Sequence, residues 1–186
     1  LAQFERILIS SGTSRYDQFV RGEIDLEDNE LRGKLMFFDE GAQTGLPDGQ
    51  CFHCHGSITL TGNNFFNNGL DSVGSLADFI DKGLGAVTGN PSDNGKFRAP
   101  TLRNIALSAP YMHDGRINTL EEMMVQYNDN GFGIINEDPF VQQIGFPVQG
   151  HYPGLTPTQT ADIIAFLHTL TDTNFVTNPE FQNPFQ

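Results

Sequence analysis

The sequence predicts an all-α, loop-rich chain with little or no sheet, and three observations carry that expectation. Apolar residues recur at helical spacing in several short stretches, not in strict alternation. Between them lie runs rich in turn-forming residues, in keeping with 20 Gly and 10 Pro among 186 residues. A single Cys51-Phe52-His53-Cys54-His55 then interrupts the pattern within one such run.

The elements follow in order. Residues 1–10 place Leu1, Phe4, Ile7 and Leu8 at helical spacing, and Ser10 to Ser14 breaks that helix. Arg15 to Val20 adds a short turn. Asp28 or Asn29 can cap a helix to about Phe38, with Leu31, Leu35, Met36 and Phe38 near one side. Met36 reads as core filling. From Gly56 to Gly74 a long irregular loop carries Phe65-Phe66; Ser75 then caps a short helix, Leu76 to Lys82, and Gly83 to Gly95 is turn-rich. Pro100 precedes a short helix to Leu107, closed by Ala109-Pro110. Thr119 and Glu122 form a capping box opening a helix to about Asn128, and residues 129–155 are loop. Thr156-Pro157 starts the last helix, which buries Ile163, Ile164, Phe166, Leu167 and Leu170. The tail, 171–186, reads as extended. No internal repeat is apparent, so 1–186 is taken as a single domain.

Two cysteines three apart with a histidine directly after the second form the attachment pattern of a c-type haem. Two thiols add across the two vinyl groups of one porphyrin, and the next imidazole is delivered to the iron. Cys51 and Cys54 are then the anchors of one covalent haem c, and His55 is the proximal ligand. These are the only cysteines. A Cys51–Cys54 disulfide would close a small strained loop and leave His55 without a purpose. Zinc needs a second ligand pair that the sequence lacks. A thioredoxin-like redox pair needs a strand before it, where Gly41 to Gly49 is loop-like. Helices, the motif and irregular wrapping together predict a cytochrome c-like haem domain, with several of the 16 Phe available to face the porphyrin.

The formal charge of −13 and a pI near 4.5 argue against nucleic acid or an anionic membrane surface as partner. An acidic surface suits a basic small redox protein as electron donor. No apolar run is long enough to span a bilayer and no signal peptide is visible. Covalent haem is attached outside the inner membrane, so an exported, periplasmic protein is expected. Leu1 opens the chain in what reads as mid-helix, which suggests a fragment or processed product lacking its upstream part.

The iron's other side decides the chemistry. By type the candidates are Met36, Met112, Met123, Met124, Tyr127, His53, His113, His151 and His168. His53 lies between the anchors and cannot turn back, so it is expected to face solvent. His168 reads as a helix-end residue, and His151 has no supporting context. Met112, His113 and the Met123/Met124/Tyr127 helix remain open. Periodicity does not choose among them, although the commoner His/Met pair favours a methionine.

The stretch Phe97-Arg-Ala-Pro-Thr-Leu-Arg-Asn-Ile-Ala-Leu107, continuing through Ala109-Pro110-Tyr111-Met112-His113-Asp114-Gly115, resembles the signature of bacterial di-haem cytochrome c peroxidases and their MauG-like relatives. Phe4-Glu-Arg-Ile-Leu-Ile-Ser10, Arg32-Gly33 and Leu155-Thr-Pro with Ile164-Ala-Phe-Leu167 are similar to it too, so the resemblance covers nearly the whole chain. It implies the C-terminal half of such proteins, carrying the six-coordinate electron-entry haem. It also implies that the sixth ligand stands seventeen residues after Pro110, at Tyr127, with Met124 and Met112 as fallbacks. A phenolate there offsets ferric charge and lowers the potential. Arg103 and His113 would lie close to the haem, with Arg103, or else Arg98, pairing a propionate. Main-chain oxygens of Ser108 and Pro110 would help hold a Ca2+ whose remaining ligand is an Asn in the other half.

The sequence departs from the family pattern in having one Cys-x-x-Cys-His where the family has two, and no Trp. The peroxide-cleaving site belongs to the other half, so H2O2 would be met only there. Three functions follow. The chain is the electron-delivering half of a peroxidase-like oxidoreductase, with a second haem domain or subunit as partner. Or it is a stand-alone mono-haem electron carrier. Or it serves a MauG-like oxidase acting through high-valent haem. A homodimer is a further allowed assembly.

Overall fold

The computed structural model describes residues 2–10, 12–41, 44–129, 135–141 and 154–182. Among these the chain forms eight α-helices and one two-stranded sheet, the cytochrome c-like all-α, loop-rich architecture expected. Helices α1 (Ala2–Ile7), α2 (Arg15–Val20), α3 (Asp28–Phe37) and α4 (Phe52–His55) precede strand β1 (Phe65–Phe66). Helix α5 (Leu84–Thr88), strand β2 (Phe97–Arg98), α6 (Leu120–Asp129), α7 (Pro157–His168) and α8 (Thr173–Val176) follow. The strands pair antiparallel, Phe65 opposite Arg98 and Phe66 opposite Phe97. No helix among the described residues is long and apolar enough to cross a membrane.

The core is built where α3 crosses α7. At Gly33 a Cβ would stand 1.9 Å from the main-chain oxygen of Asp162, so only glycine lets the two backbones approach this closely. Beside it Arg32 makes two hydrogen bonds to the Asp162 carboxylate, at 2.7 and 3.0 Å. Below the crossing Met36, Phe37, Ile163, Phe166, Leu167 and Leu170 are buried together. Each contributes about 1.5–3 kcal/mol by leaving water. Tyr16 and Phe38 complete an aromatic cluster around Phe166, at ring separations of 5.3 and 5.8 Å.

The termini of the two longest expected helices follow from their caps. Thr156 accepts from Gln159 N–H while the Gln159 side chain accepts from Thr156 N–H, a reciprocal box at the start of α7. Thr119 and Glu122 do the same for α6. For α3 the cap is Glu27, not Asp28 or Asn29, and its N–H donates to the Glu30 carboxylate at 2.9 Å.

Other expectations are corrected. The helix expected over 76–82 is only a 3-10 turn, Leu76–Asp78: Ser75 makes no capping bond, and Phe79 leaves helical backbone to bury its ring. Helix α5 lies within the stretch read as turns, and Gly89 ends it in the left-handed conformation, φ 69°. After Pro100 there is only a 3-10 turn, Ile105–Leu107, because Asn104 is itself left-handed, φ 62°. Its N–H donates to Leu170 O at 3.1 Å and its side chain accepts from Asp172 N at 2.7 Å. Among the described residues, to 182, the tail is not extended: buried Asp172 caps α8, and a 3-10 turn, Pro179–Phe181, brings the Phe181 ring against Phe175. The apolar face of α1 meets Phe181 through Phe4, but Phe4 and Ile7 remain 41% and 51% exposed.

Replacing Gly33 by Ala forces two main chains apart and is expected to destabilise the protein by about 1–3 kcal/mol. Urea unfolding should show a lower midpoint at an unchanged slope. A Gly33→Ala variant as stable as the parent would show that the helices do not meet here.

Candidate functional site

A cavity of about 570 Å3 opens between α4, the segment 97–113, α6 and α7. Helix α4 is one turn, closed by the His55 N–H donating to Cys51 O at 2.9 Å. That turn brings Cys51, Cys54 and His55 to one wall of the cavity. The thiols are unbridged, and burial pushes both up to about 12, so they stay protonated at neutral pH. Cys51 Sγ donates to Gly49 O at 3.3 Å. Gly49 in turn donates to Met36 O at 2.8 Å, which ties this wall to the end of α3.

His55 is oriented by the main chain. Its Nδ1 stands 3.1 Å from Pro100 O, and that contact requires a proton on Nδ1. Burial lowers the imidazole's pKa, outweighing the hydrogen bonds that would raise it. The ring is therefore neutral, with Nε2 left as the lone-pair donor. Two segments are zipped together to hold this geometry: Leu102 N–H donates to Leu60 O at 3.2 Å, Thr61 Oγ1 to Ala99 O at 2.7 Å, and Gly62 N–H to Cys54 O at 2.8 Å.

Another stretch of wall carries Met112, His113, Met123, Met124 and Tyr127. Met124 is buried in the core as well as lining the cavity. Asn68, which sequence reasoning passed over, links two of the candidates. Its Nδ2 lies 3.4 Å from Tyr127 Oη and 3.3 Å from Met112 Sδ. Burial raises the Tyr127 phenol and the Asn68 hydrogen bond partly offsets that. No spacing rule singles out this asparagine in a loop that also holds Asn63, Asn64 and Asn67.

The remaining candidates fall as follows. Met36 is fully buried in the core and does not line the cavity. His113 lines it, with its ring stacked 3.7 Å from Phe97. Arg103 lines it too, but its guanidinium makes two 2.9 Å bonds to Asp17 and two more to Ile58 O, leaving one Nη1 hydrogen for an anionic ligand. Arg98 is exposed and donates to Asn63 Oδ1. Ser108 and Pro110 stand at the cavity's exposed edge. Among the described residues no group of three or more His, Cys, Asp or Glu converges as a metal site. His53 does not simply face solvent: it stacks on Phe140 at 3.8 Å and pairs with Asp39 at 3.4 Å. His168 is exposed at the end of α7. His151 lies outside the described residues.

The donor set fits the porphyrin expected from the motif. Two protonated thiols and an imidazole with a free Nε2 share one wall of a mainly apolar cavity, with further oxygen and sulfur donors nearby.

Comparison with known proteins agrees. No family model matches the chain. The cytochrome c551 peroxidase of Nitrosomonas europaea is 34% identical over 127 residues, 66% of this chain and 34% of that protein. The methylamine utilization protein MauG of Paracoccus denitrificans is 31% identical over 132 residues, 62% of this chain and 32% of that protein. A crystal structure of a MauG-like protein associated with microbial copper homeostasis superposes with a TM-score of 0.79 at 36% identity, covering 95% of this chain and 57% of that one. The chain spans a third to a half of the length of the curated relatives it matches.

Asp17 and Arg103 yield a stability test. Burial raises the Asp17 carboxyl, but hydrogen bonds from Arg103 and Ser14 outweigh it and hold the group below its ordinary value. The pair's stabilisation is therefore complete above pH about 4 and is lost as pH falls through the depressed value. Arg103→Ala leaves the Asp17 carboxylate with Ser14 as its hydrogen-bond donor and no cation, and is expected to destabilise by about 1–3 kcal/mol at neutral pH, with a shallower loss of stability on acidification below about pH 4. Chemical unfolding across pH reads both quantities.

Proposed function

Because the chain belongs to the family of di-haem cytochrome c peroxidases and MauG-like proteins, we propose that it binds one covalent c-type haem and serves as the electron-transfer haem domain of a peroxidase-like oxidoreductase. The observation that carries this reading is the wall of Cys51, Cys54 and His55, with the imidazole fixed by Pro100 O. Such a haem supplies one-electron chemistry at its iron. The chain's own residues do the rest. Cys51 and Cys54 anchor, and His55 presents Nε2 while its Nδ1 proton stays with Pro100. Tyr127 would hold the iron as a second protein ligand, with Met124 and Met112 as the alternatives. An iron ligated by both His55 and a second side chain would leave no place for peroxide, so electron passage is the role that suits this domain. Phe66 and Phe97 line the cavity's side with apolar surface.

Peroxide would then be reduced at a second haem, in another domain or subunit. A small basic redox protein suits the net charge of −13 as donor, and the site of haem attachment suits a periplasmic location. Ser108 and Pro110 would offer main-chain oxygens to a Ca2+ completed by the second haem domain. A MauG-like oxidase is the second reading, favoured by the 36% identity to a MauG-like structure and by an oxygen donor at Tyr127.

Produced with a haem-attachment system, the protein should have the mass of polypeptide plus one haem, and Cys51→Ala with Cys54→Ala should remove the covalent group. A mass equal to bare polypeptide defeats the proposal. Tyr127→Phe should change the near-infrared and EPR spectra of the ferric protein and raise its reduction potential, since a phenolate favours the ferric state. An unchanged spectrum means that another side chain is the sixth ligand.

A further inference from the structure

Asn68 is placed in the cavity by three separate contacts. Its Oδ1 accepts from Leu70 N–H at 3.3 Å, which fixes the orientation of the amide. With the oxygen so committed, Nδ2 is turned inward and its two hydrogens serve Tyr127 Oη and Met112 Sδ, at 3.4 and 3.3 Å. Met112 itself adopts a left-handed backbone, φ 71°, that a residue with a long side chain rarely takes. Neighbouring Asn67 is buried and anchors the same loop: its Oδ1 accepts from Gly69 N–H at 3.0 Å and its carbonyl from Asp138 N–H at 2.9 Å. The amide is therefore mounted on a pinned loop and aimed at two donors of different softness.

We propose that Asn68 is the positioning residue for the sixth ligand: its amide orients the Tyr127 oxygen, tempers its donor strength, and occupies the competing Met112 sulfur. This rests on the reading of Tyr127 as the axial ligand. A hydrogen bond to a ligand oxygen withdraws electron density from it, so the oxygen stabilises ferric iron less than a bare phenolate does. Thioether sulfur accepts hydrogen bonds weakly, so the amide's stronger partner is the oxygen.

The test uses the haem-loaded chain. Asn68→Leu keeps the approximate volume and removes both hydrogens. It should shift the tyrosine-to-iron charge-transfer band to longer wavelength and lower the reduction potential. Asn68→Gln, which keeps an amide donor, should move both back toward the parent. Asn68→Ala removes the same donors without filling the space, so it supplies the same readings if the Leu variant does not accumulate. Conversion of either donor-free variant to a methionine-type spectrum, abolished by adding Met112→Leu, also supports the proposal, since it shows the sulfur released. Parental band and potential in the donor-free variants, with Tyr127→Phe altering both, overturn the role of Asn68 and leave Tyr127 as ligand. A silent Tyr127→Phe overturns the ligand reading itself, and this proposal with it.

Discussion

The crossing of α3 and α7 at Gly33 is the constraint on which the rest of the chain depends. Two backbones meet where no Cβ fits, and the Arg32–Asp162 pair closes beside the contact. Near the end of α3 the carbonyl of Met36 accepts from Gly49 N–H and so ties the segment before the Cys51 turn to that helix. The other partner, α7, contributes Ile163 and Leu167 to the cavity. One steric fact thus sets both the wall that carries the thiols and a part of the surface against which the proposed haem would rest.

The irregular segments are held by polar pairing more than by hydrophobic burial. Asp172 is fully buried and gathers Ser10 and Thr13 from one end of the chain, while its own N–H meets Asn104 and its side chain caps α8. Arg103 reaches from the same region to Asp17. Long loops cannot bury enough apolar surface to order themselves, and these bonds supply the fixed points.

Much of the fold was legible because it is local chemistry. The capping boxes at Thr119 and Thr156 announce their helices, the apolar spacing of α7 names its buried face, and Cys51-x-x-Cys54-His55 marks the candidate site without a structure. What escaped is non-local. Helix α5 has only five residues, Gly85 among them, and is flanked by two more glycines, Gly83 and Gly89. Asn104 breaks the helix expected after Pro100 because its partners are Leu170 and Asp172, more than sixty residues away. Arg103 is claimed by Asp17 across a similar separation, which no reading of its neighbours could reveal. The same holds for the candidate site: its proposed anchors are contiguous in sequence, whereas Asn68 hydrogen-bonds Met112 and Tyr127 from a third segment.

The acceptor that orients His55 is a carbonyl, not a side chain. A main-chain oxygen is retained whatever residue stands at position 100, so mutation there can move the group but cannot delete it. The imidazole's tautomer is thereby guarded against sequence drift, and selection can reshape the surrounding side chains, and with them the cavity's polarity, without first having to preserve a partner for the ring.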